Sequence, residues 1–392
     1  MALRVAMISL HTSPGMAPGA GDVGGMNVVI RQLGAELARL GCAVEIFTRR
    51  TDPGGPATIE LDPGVLLRHL DAGPARVLPK IEHEGLIPEF VQALADLPGY
   101  DLVHAHHWYS GLAAREAAAA SGVPLVQSLH SIAAAPNTPL SAGERPEVPG
   151  RLAAEEALAR QADRLHAVST AERDTIVARL GADPDRVEII PPGVDTHQFH
   201  PDRARRADDP GYLLMAARLE PLKGADLAIE TFARVDPALV GELVICGGAT
   251  SGFEDYVSSL HQLVAARGLA DRVHFIGARD RDELARLMAG ARLLLNPSHS
   301  ETYGLTALEA AACGVPVVAS AAGGLVEAVR HGETGLALES RDPQTWADAV
   351  AGLLGNPAGA RRFGAGGLAH ARQHTWELMA RRTLASYRRL LA

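Results

Sequence analysis

The sequence is poor in cysteine, has no long apolar run and carries no excess of positive charge. Its three cysteines among 392 residues lack the spacing of a disulfide framework or a zinc site, which suits buried thiols in a reducing compartment. No window approaches the roughly 18 consecutive apolar residues of a membrane span, and no basic leader precedes an apolar segment. A net charge of -9 argues against nucleic acid or an anionic membrane as the main partner. We therefore expect a soluble, cytoplasmic protein.

Short apolar segments alternate with helical patterns along the whole chain. Hydrophobic residues make up 47% of the sequence, which is enough for more than one core at this length. Buried strands separated by amphipathic helices are typical of parallel sheets. We predict strands at Arg4–Leu10, Ala43–Thr48, Leu102–His106, Pro124–Leu129, Arg164–Val168 and Val187–Ile190, and then at Tyr212–Ala217, Glu242–Cys246, Arg272–Ile276, Arg292–Leu295 and Val315–Ala319.

This alternation predicts an α/β protein with two doubly wound parallel sheets. A turn at Pro191–Asp195 and a polar stretch to Asp209 interrupt the pattern and mark a linker. We assign residues 1–193 to a first domain and 194–374 to a second, and we expect residues 375–392 to pack back on the first. Because open parallel sheets bind ligands at the carboxyl ends of their strands, a site is expected in the cleft between the domains.

A glycine-rich loop follows the first predicted strand and ends as Gly24-Gly25-Met26-Asn27 at the start of a helix. Glycine amides can approach a ligand phosphate closely at such a helix start. The segment Gly19–Gly24 also matches the dinucleotide fingerprint, with Glu45 about twenty residues on. Its first glycine lies too far from the strand for a good nicotinamide or flavin site, and an ordinary mobile loop is the other alternative.

Two predicted strands end in histidine. His104, His106 and His107 close one strand, and His130 with Ser131 follows the next. No carboxylate or cysteine stands at helical ligand spacing beside them, so we expect no metal site, and His104 is expected to be a core residue. His130 is the better functional candidate, as a hydrogen-bond donor to a sugar hydroxyl.

Charged residues cluster at two turns of the second domain. Arg218 and Lys223 stand five residues apart after a strand, where a guanidinium and an ammonium can hold a diphosphate. A solvated basic turn is the alternative. Asp280 and Asp282 imitate a metal motif, but we expect them to cap the helix that follows.

Glu301 and Glu309 lie eight residues apart across the start of a predicted helix. The amides of Tyr303, Gly304 and Leu305 open that helix as an anion-binding end. This arrangement suits a nucleotide-sugar, because the diphosphate can meet amides and cations while hydroxyl groups meet carboxylates.

These motifs together resemble the retaining glycosyltransferases of family 4, which have the GT-B architecture of two facing Rossmann-like domains. The resemblance covers nearly the whole chain and implies a metal-independent enzyme that needs no cofactor besides its nucleotide-sugar. It implies that charge on the leaving diphosphate is neutralised by protein cations and that the acceptor proton passes to a departing phosphate oxygen. The catalytic group would be Arg218, Lys223, Glu301 and His130, and the donor-binding group Gly25, Arg279, Tyr303, Gly304, Leu305 and Glu309.

The opening segment is most similar to the branch of the family that glycosylates inositol phosphate in mycothiol synthesis. The positions matching its acceptor site are Asn27, Glu84, His107, Ser131 and Arg151. That branch has a lysine where Glu84 stands and a tyrosine where His107 stands, although Lys80 is an alternative match for the lysine. A carboxylate in a phosphate pocket would repel the ligand, so we expect an acceptor without phosphate.

We therefore expect a retaining transferase that moves a sugar from a UDP- or GDP-sugar to a small polar acceptor, in natural-product biosynthesis. The resemblance also implies a homodimer. The alternatives are N-acetylglucosaminyl transfer to inositol phosphate, non-catalytic nucleotide-sugar binding and an NAD-dependent oxidoreductase. The last gives no role to Glu301, Arg218 or Lys223.

Overall fold

The computed structural model describes residues 2–16, 24–94, 99–134, 138, 148, 150–201, 211–250 and 252–392. Two features of the sequence argument lie outside these residues. They are residues 19–23 of the glycine-rich loop and residues 202–209 of the polar linker.

The first half of the chain forms an eight-stranded sheet. Its strands are β1 (Arg4–Ile8), β2 (Ala43–Arg49), β3 (Thr58–Asp62), β4 (Val65–Leu70), β5 (Leu102–His106), β6 (Leu125–Ser128), β7 (Arg164–Ala167) and β8 (Val187–Ile189). Their order is β3-β4-β2-β1-β5-β6-β7-β8. All neighbouring pairs are parallel except the edge pair of β3 and β4.

The second half forms a six-stranded sheet in which every pair is parallel. Its strands are β9 (Tyr212–Ala216), β10 (Glu242–Cys246), β11 (Val273–Gly277), β12 (Leu293–Asn296), β13 (Val317–Ser320) and β14 (Gly335–Leu338). Their order is β11-β10-β9-β12-β13-β14. The central strands are almost wholly apolar because both of their faces are covered.

Helices cover both faces of each sheet, so that each sheet lies between two hydrophobic clusters. The helices are α1 (Gly25–Arg39), α2 (Ile87–Ala93), α3 (His107–Ser121), α4 (Arg151–Gln161), α5 (Thr170–Ala178), α6 (Ala225–Phe232), α7 (Glu254–Ala266), α8 (Arg281–Gly290), α9 (Leu305–Ala312), α10 (Leu325–Ala328), α11 (Pro343–Leu354), α12 (Pro357–Ala371) and α13 (Trp376–Leu390). None of these described helices is both long and apolar enough to cross a membrane.

The last helix, α13, returns to the first sheet. Trp376, Leu384 and Tyr387 are buried in the same cluster as residues of β1 and α1. The chain passes from one sheet to the other near Val194 and returns near His374. These two segments are in contact, since the Val194 amide donates to the His374 carbonyl at 2.8 Å. A Cβ on Gly193 would lie 2.3 Å from the Trp376 nitrogen, so glycine permits this close approach.

The structure confirms the predicted architecture of two doubly wound sheets, and each predicted strand occurs within two residues of its predicted bounds. Three strands are additional to the prediction: β3, β4 and β14. Strand β3 lies at a sheet edge and is partly exposed along its whole length, so it carries no buried apolar run to identify it.

Candidate active site

A cavity of about 770 Å3 lies between the two sheets. Its lining residues follow the carboxyl ends of strands in both halves, where open α/β sheets bind ligands. Of the predicted site residues, all but Glu84 and Arg151 line it: Gly25, Asn27, His107, His130, Ser131, Arg218, Lys223, Arg279, Glu301, Tyr303, Gly304, Leu305 and Glu309.

The two halves of the chain each form one wall of the cleft, and the start of α1 belongs to the first wall, that of the first half. The side chain of Asn27 is almost fully buried and donates from Nδ2 to the Ser13 carbonyl at 2.8 Å. It also accepts a hydrogen bond from the Thr12 hydroxyl at 3.0 Å. Asn27 therefore holds the loop after β1 against the helix start. A Cβ on Gly25 would lie 3.0 Å from Leu305 Cδ1, which shows how closely the two walls approach here.

Arg218 and Lys223 lie on the second wall, in the turn between β9 and α6. Each has an acidic partner: Arg218 Nη2 is 3.0 Å from Glu220 Oε1, and Lys223 Nζ is 2.9 Å from Glu301 Oε1. Burial would lower the pKa of Lys223, but attraction by Glu301 and Glu220 outweighs it, so that this pKa is raised. Lys223 is therefore a cation at neutral pH.

Gly224 lets this turn reach the end of β12. Its φ is +69°, and a Cβ would lie 2.3 Å from the Pro297 carbonyl oxygen. Neither the backbone angle nor the close contact tolerates a larger residue. The glycine therefore fixes Lys223 beside Glu301.

The loop before α9 carries Glu301 to the same wall. The Ser298 hydroxyl donates to Glu301 Oε1 at 3.0 Å, on the oxygen that also meets Lys223. Gly304 caps α9 with φ +109°, and a Cβ there would meet Leu325 at 2.5 Å. The N-terminal end of α9 thus opens into the cleft between Tyr303 and Leu305, where it can bind an anion.

Glu309 forms an ion pair that the sequence argument did not anticipate. Its Oε1 is 2.7 Å from Arg281 Nη2, and its side chain is only 3% exposed. Arg281 also lies over the ring of Phe199, 4.8 Å from the centroid. Both Arg279 and Arg281 line the cleft, whereas the sequence indicates only Arg279.

His130 lies where the first wall meets the second. Its φ is +62°, and its carbonyl accepts a hydrogen bond from the Thr302 hydroxyl at 2.8 Å. Burial lowers the pKa of its imidazole to about 4, so the ring is neutral at physiological pH. A neutral imidazole can donate to or accept from a sugar hydroxyl without adding charge.

His107, Ser131 and Arg151 form the region predicted to bind the acceptor. Arg151 is fully buried beneath the cleft, where its Nε is 2.7 Å from Glu155 Oε1. Its Nη2 donates to the Ser131 hydroxyl at 2.8 Å. Burial, followed by the charges of its neighbours, holds the pKa of His107 well below its ordinary value. This region therefore offers the cleft mainly uncharged groups.

Glu84 does not line the cleft. It lies in a 3-10 segment, Lys80–Leu86, with its carboxylate beside Gly150. Lys80, at the start of the same segment, does line the cleft. The structure thus brings the lysine of this segment to the site and leaves the carboxylate outside it.

His104 and the Asp280 turn have structural roles in the described part of the chain. His104 is bonded through both nitrogens, to the Tyr387 hydroxyl at 2.6 Å and the Ser128 hydroxyl at 2.9 Å. Asp280 caps α8 in a reciprocal capping box with Glu283. No group of three or more potential metal-binding side chains occurs among the described residues.

The fold and the cleft together define a class of protein. Arg218, Lys223 and the α9 N-terminus on one wall face a wall that carries mainly uncharged hydrogen-bonding groups together with Lys80. Such a cleft, between two Rossmann-like sheets, suits an anionic ligand that carries hydroxyl groups.

Comparison with known proteins identifies the family. The description "Glycosyl transferase 4-like domain" matches residues 24–193, and "Glycosyl transferases group 1" matches residues 197–369. A D-inositol 3-phosphate glycosyltransferase of Nocardioides sp. is 41% identical over 99% of this chain and 90% of the relative. One of Kribbella flavida is 41% identical, with 98% and 95% covered. The chain therefore belongs to the family 4 glycosyltransferases and is an enzyme of that class.

Solved structures agree with this assignment. Sucrose-phosphate synthase from Thermosynechococcus elongatus has a TM-score of 0.89 and 31% identity, with 99% of each chain covered. HepE from Anabaena, solved in complex with UDP-glucose, has a TM-score of 0.75 at 22% identity, with 98% of this chain and 100% of that chain covered. The latter similarity bears on the fold alone.

Proposed function

We propose that this protein transfers a sugar, with retention of configuration, from a UDP- or GDP-sugar to a small polar acceptor without a phosphate group. The observation that carries the donor half is the cluster of Arg218, Lys223 and the α9 N-terminus on one wall of the cleft. These groups suit the negative charge that grows on a departing diphosphate. They can supply that stabilisation in place of a metal ion.

The remaining donor contacts follow from position in the cleft. In this proposal Glu309 accepts hydrogen bonds from ribose hydroxyls, while Glu301 and His130, which also line the cleft, contact the donor sugar. In the proposed step, the bond from the anomeric carbon to the diphosphate oxygen breaks. The acceptor oxygen then bonds to that carbon on the same face, and its proton passes to the departing phosphate.

The acceptor half rests on the neutral character of its region. Arg151 is paired with Glu155, and the imidazoles of His107 and His130 have lowered pKa values. A neutral or zwitterionic hydroxyl-bearing metabolite needs hydrogen-bonding groups rather than a concentrated positive charge. Buried cysteine thiols and a nucleotide-sugar donor both support a cytoplasmic enzyme of small-molecule biosynthesis.

Transfer to inositol phosphate is the second candidate. Two observations favour it: the named acceptor of the 41% identical relatives and the presence of Lys80 in the cleft lining. The two candidates differ in whether Lys80 contacts an acceptor phosphate.

A paired acceptor panel separates them. Thermal shift against UDP, GDP and ADP, then against UDP-glucose, UDP-N-acetylglucosamine and GDP-mannose, first selects the donor by mass action. Nucleotide release is then measured with polyols, each supplied with and without a phosphate ester, in the presence of EDTA. We expect turnover with unphosphorylated compounds and an unchanged anomeric configuration in the product. Turnover with the esters only, lost in Lys80→Met, would overturn the acceptor half and establish the second candidate.

A further inference from the structure

A second histidine lies directly behind His130. His106, the last residue of β5, is completely buried, and its Nδ1 lies 2.8 Å from His130 Nε2. The two rings are stacked, with centroids 5.1 Å apart. His130 therefore turns Nε2 toward His106, which leaves Nδ1 as the ring nitrogen available to the cleft that His130 lines.

The hydrogen bond between two neutral rings has two possible directions. If His130 donated, His106 would carry its own proton on Nε2. That atom is buried and has no hydrogen-bond partner among the described residues. If His106 donates from Nδ1, the same buried atom is only a bare lone pair. Buried N–H groups without an acceptor are rarer in proteins than under-satisfied acceptors, which favours the second direction.

We infer that His106 donates to His130 Nε2 and thereby holds His130 in the tautomer with its proton on Nδ1, facing the donor sugar. His106 is thus a positioning residue, because the hydrogen bond at one imidazole nitrogen decides which proton the other presents. His130 then donates a hydrogen bond to a hydroxyl oxygen of the sugar. It cannot remove a proton through that nitrogen.

The packing around His106 restrains this arrangement. The His106 ring contacts His104 with centroids 4.2 Å apart, and His104 is itself fixed by Tyr387 and Ser128. The backbone of His130 is held in turn by Thr302. Both partners of the hydrogen bond are therefore oriented before a ligand arrives.

The tautomer can be measured without any substrate. Long-range proton–nitrogen correlation spectra of protein labelled at histidine distinguish Nδ1–H from Nε2–H imidazoles, and the His130→Asn spectrum identifies the signals of His130. We expect the Nδ1–H form in the unliganded protein. A proton on Nε2 would refute the inference even if every kinetic expectation held.

Two variants of His106 test its role in the reaction. His106→Asn keeps a donor near the position of Nδ1, whereas His106→Leu removes it. We expect the leucine variant to mix the His130 tautomers and to lower kcat/KM for the donor selected above about tenfold, while asparagine preserves both within about threefold. Unchanged tautomer and rate in the leucine variant would contradict the role of His106. If that variant does not fold, the spectra of the native and asparagine proteins still decide.

The tautomer of His130 rests on the proposed function for its role, but either one can be refuted without the other. A protein that releases no nucleotide would refute the proposed transfer and leave the tautomer result standing. A transferase with the opposite tautomer would refute only the inference.

Discussion

Replacing Lys223 with alanine removes a cation that the structure places in a nearly closed environment. The Lys223 side chain is 14% exposed and that of Glu301 is 18% exposed, with 2.9 Å between their charged atoms. The substitution therefore has two effects. It leaves a carboxylate of the cleft without its partner, and it removes positive charge from the proposed diphosphate site.

The two effects have different magnitudes. Loss of one member of a buried ion pair costs about 3 to 5 kcal/mol of unfolding free energy. Because Glu301 keeps the Ser298 hydroxyl at 3.0 Å and some solvent contact, we expect the lower end, about 3 kcal/mol. Loss of one preorganised group that stabilises transition-state charge costs about 3 to 4 kcal/mol, a factor of roughly 100 to 1,000 in the rate of chemistry.

A double variant separates these effects. Lys223→Ala with Glu301→Gln removes both charges, so it should regain most of the unfolding free energy. It should regain none of the lost activity. Urea denaturation gives the stabilities, and single-turnover measurement of nucleotide release gives the rate constant for chemistry. Donor affinity should fall less than this rate constant, because the leaving charge is greatest in the transition state.

Two results would refute this reasoning. A single-turnover rate for Lys223→Ala within threefold of the native rate would show that the ammonium does not act on the leaving group. A double variant as unstable as the single one would show that the pair with Glu301 is not what Lys223 contributes to folding.

Three further predictions concern other parts of the structure. Arg281→Gln should weaken UDP binding about tenfold, because it releases Glu309 from its ion pair and so disturbs the proposed contact with ribose. Binding of 2'-deoxy-UDP should weaken less, and equal weakening by calorimetry would contradict a link to ribose. Gly224→Ala should lose about 2 kcal/mol more stability in urea than Gly268→Ala, since both have positive φ but only the first meets a backbone oxygen; equal losses would contradict this. The pKa of buried His370 is lowered to about 4, below an unfolded value of about 6.5, so stability falls as pH drops between them. His370→Asn should reduce that slope by up to about 1.4 kcal/mol per pH unit, and an unchanged slope would contradict the assignment.

The strands that sequence reasoning found share one property. Central strands such as β1 and β9 are covered on both faces, so their burial appears in the sequence as a continuous apolar run. The edge strand β3 has no buried residue, and its polar residues resemble those of a loop. Local hydrophobicity therefore predicts the centre of each sheet better than its edge.

The site shows the same division between local and distant causes. Sequence spacing alone indicates Lys223, Glu301 and the α9 N-terminus, because each belongs to a short turn whose residue types suggest its chemistry. Arg281 could not be found in this way, because its partner Glu309 lies 28 positions further along the chain and the sequence around Arg281 indicates only a helix cap. Only the packing of α8 against α9 brings the two side chains together.

The histidines show where spacing stops being informative. His104 and His106 are two positions apart on a strand and so lie on one face of the sheet, yet they differ in what they contact. Both nitrogens of His104 have partners, whereas His106 reaches the cleft only through His130. His107 begins the next helix with φ +71° and lines the cleft itself. The sequence predicts that histidines gather at the carboxyl end of β5. How His106 acts on the site depends on His130, which follows the neighbouring strand β6.

The acceptor side depends on the path of one short segment. The sequence match places Glu84 where relatives of the mycothiol branch have a lysine, and a carboxylate there argues against an anionic acceptor. The structure turns Glu84 toward Gly150 and brings Lys80 to the cleft instead. A neutral acceptor is therefore favoured by the paired state of Arg151 and the neutral imidazoles rather than by Glu84. The charge of the acceptor is decided by whether Lys80 outweighs those groups, and Lys80→Met in the acceptor panel measures that balance directly.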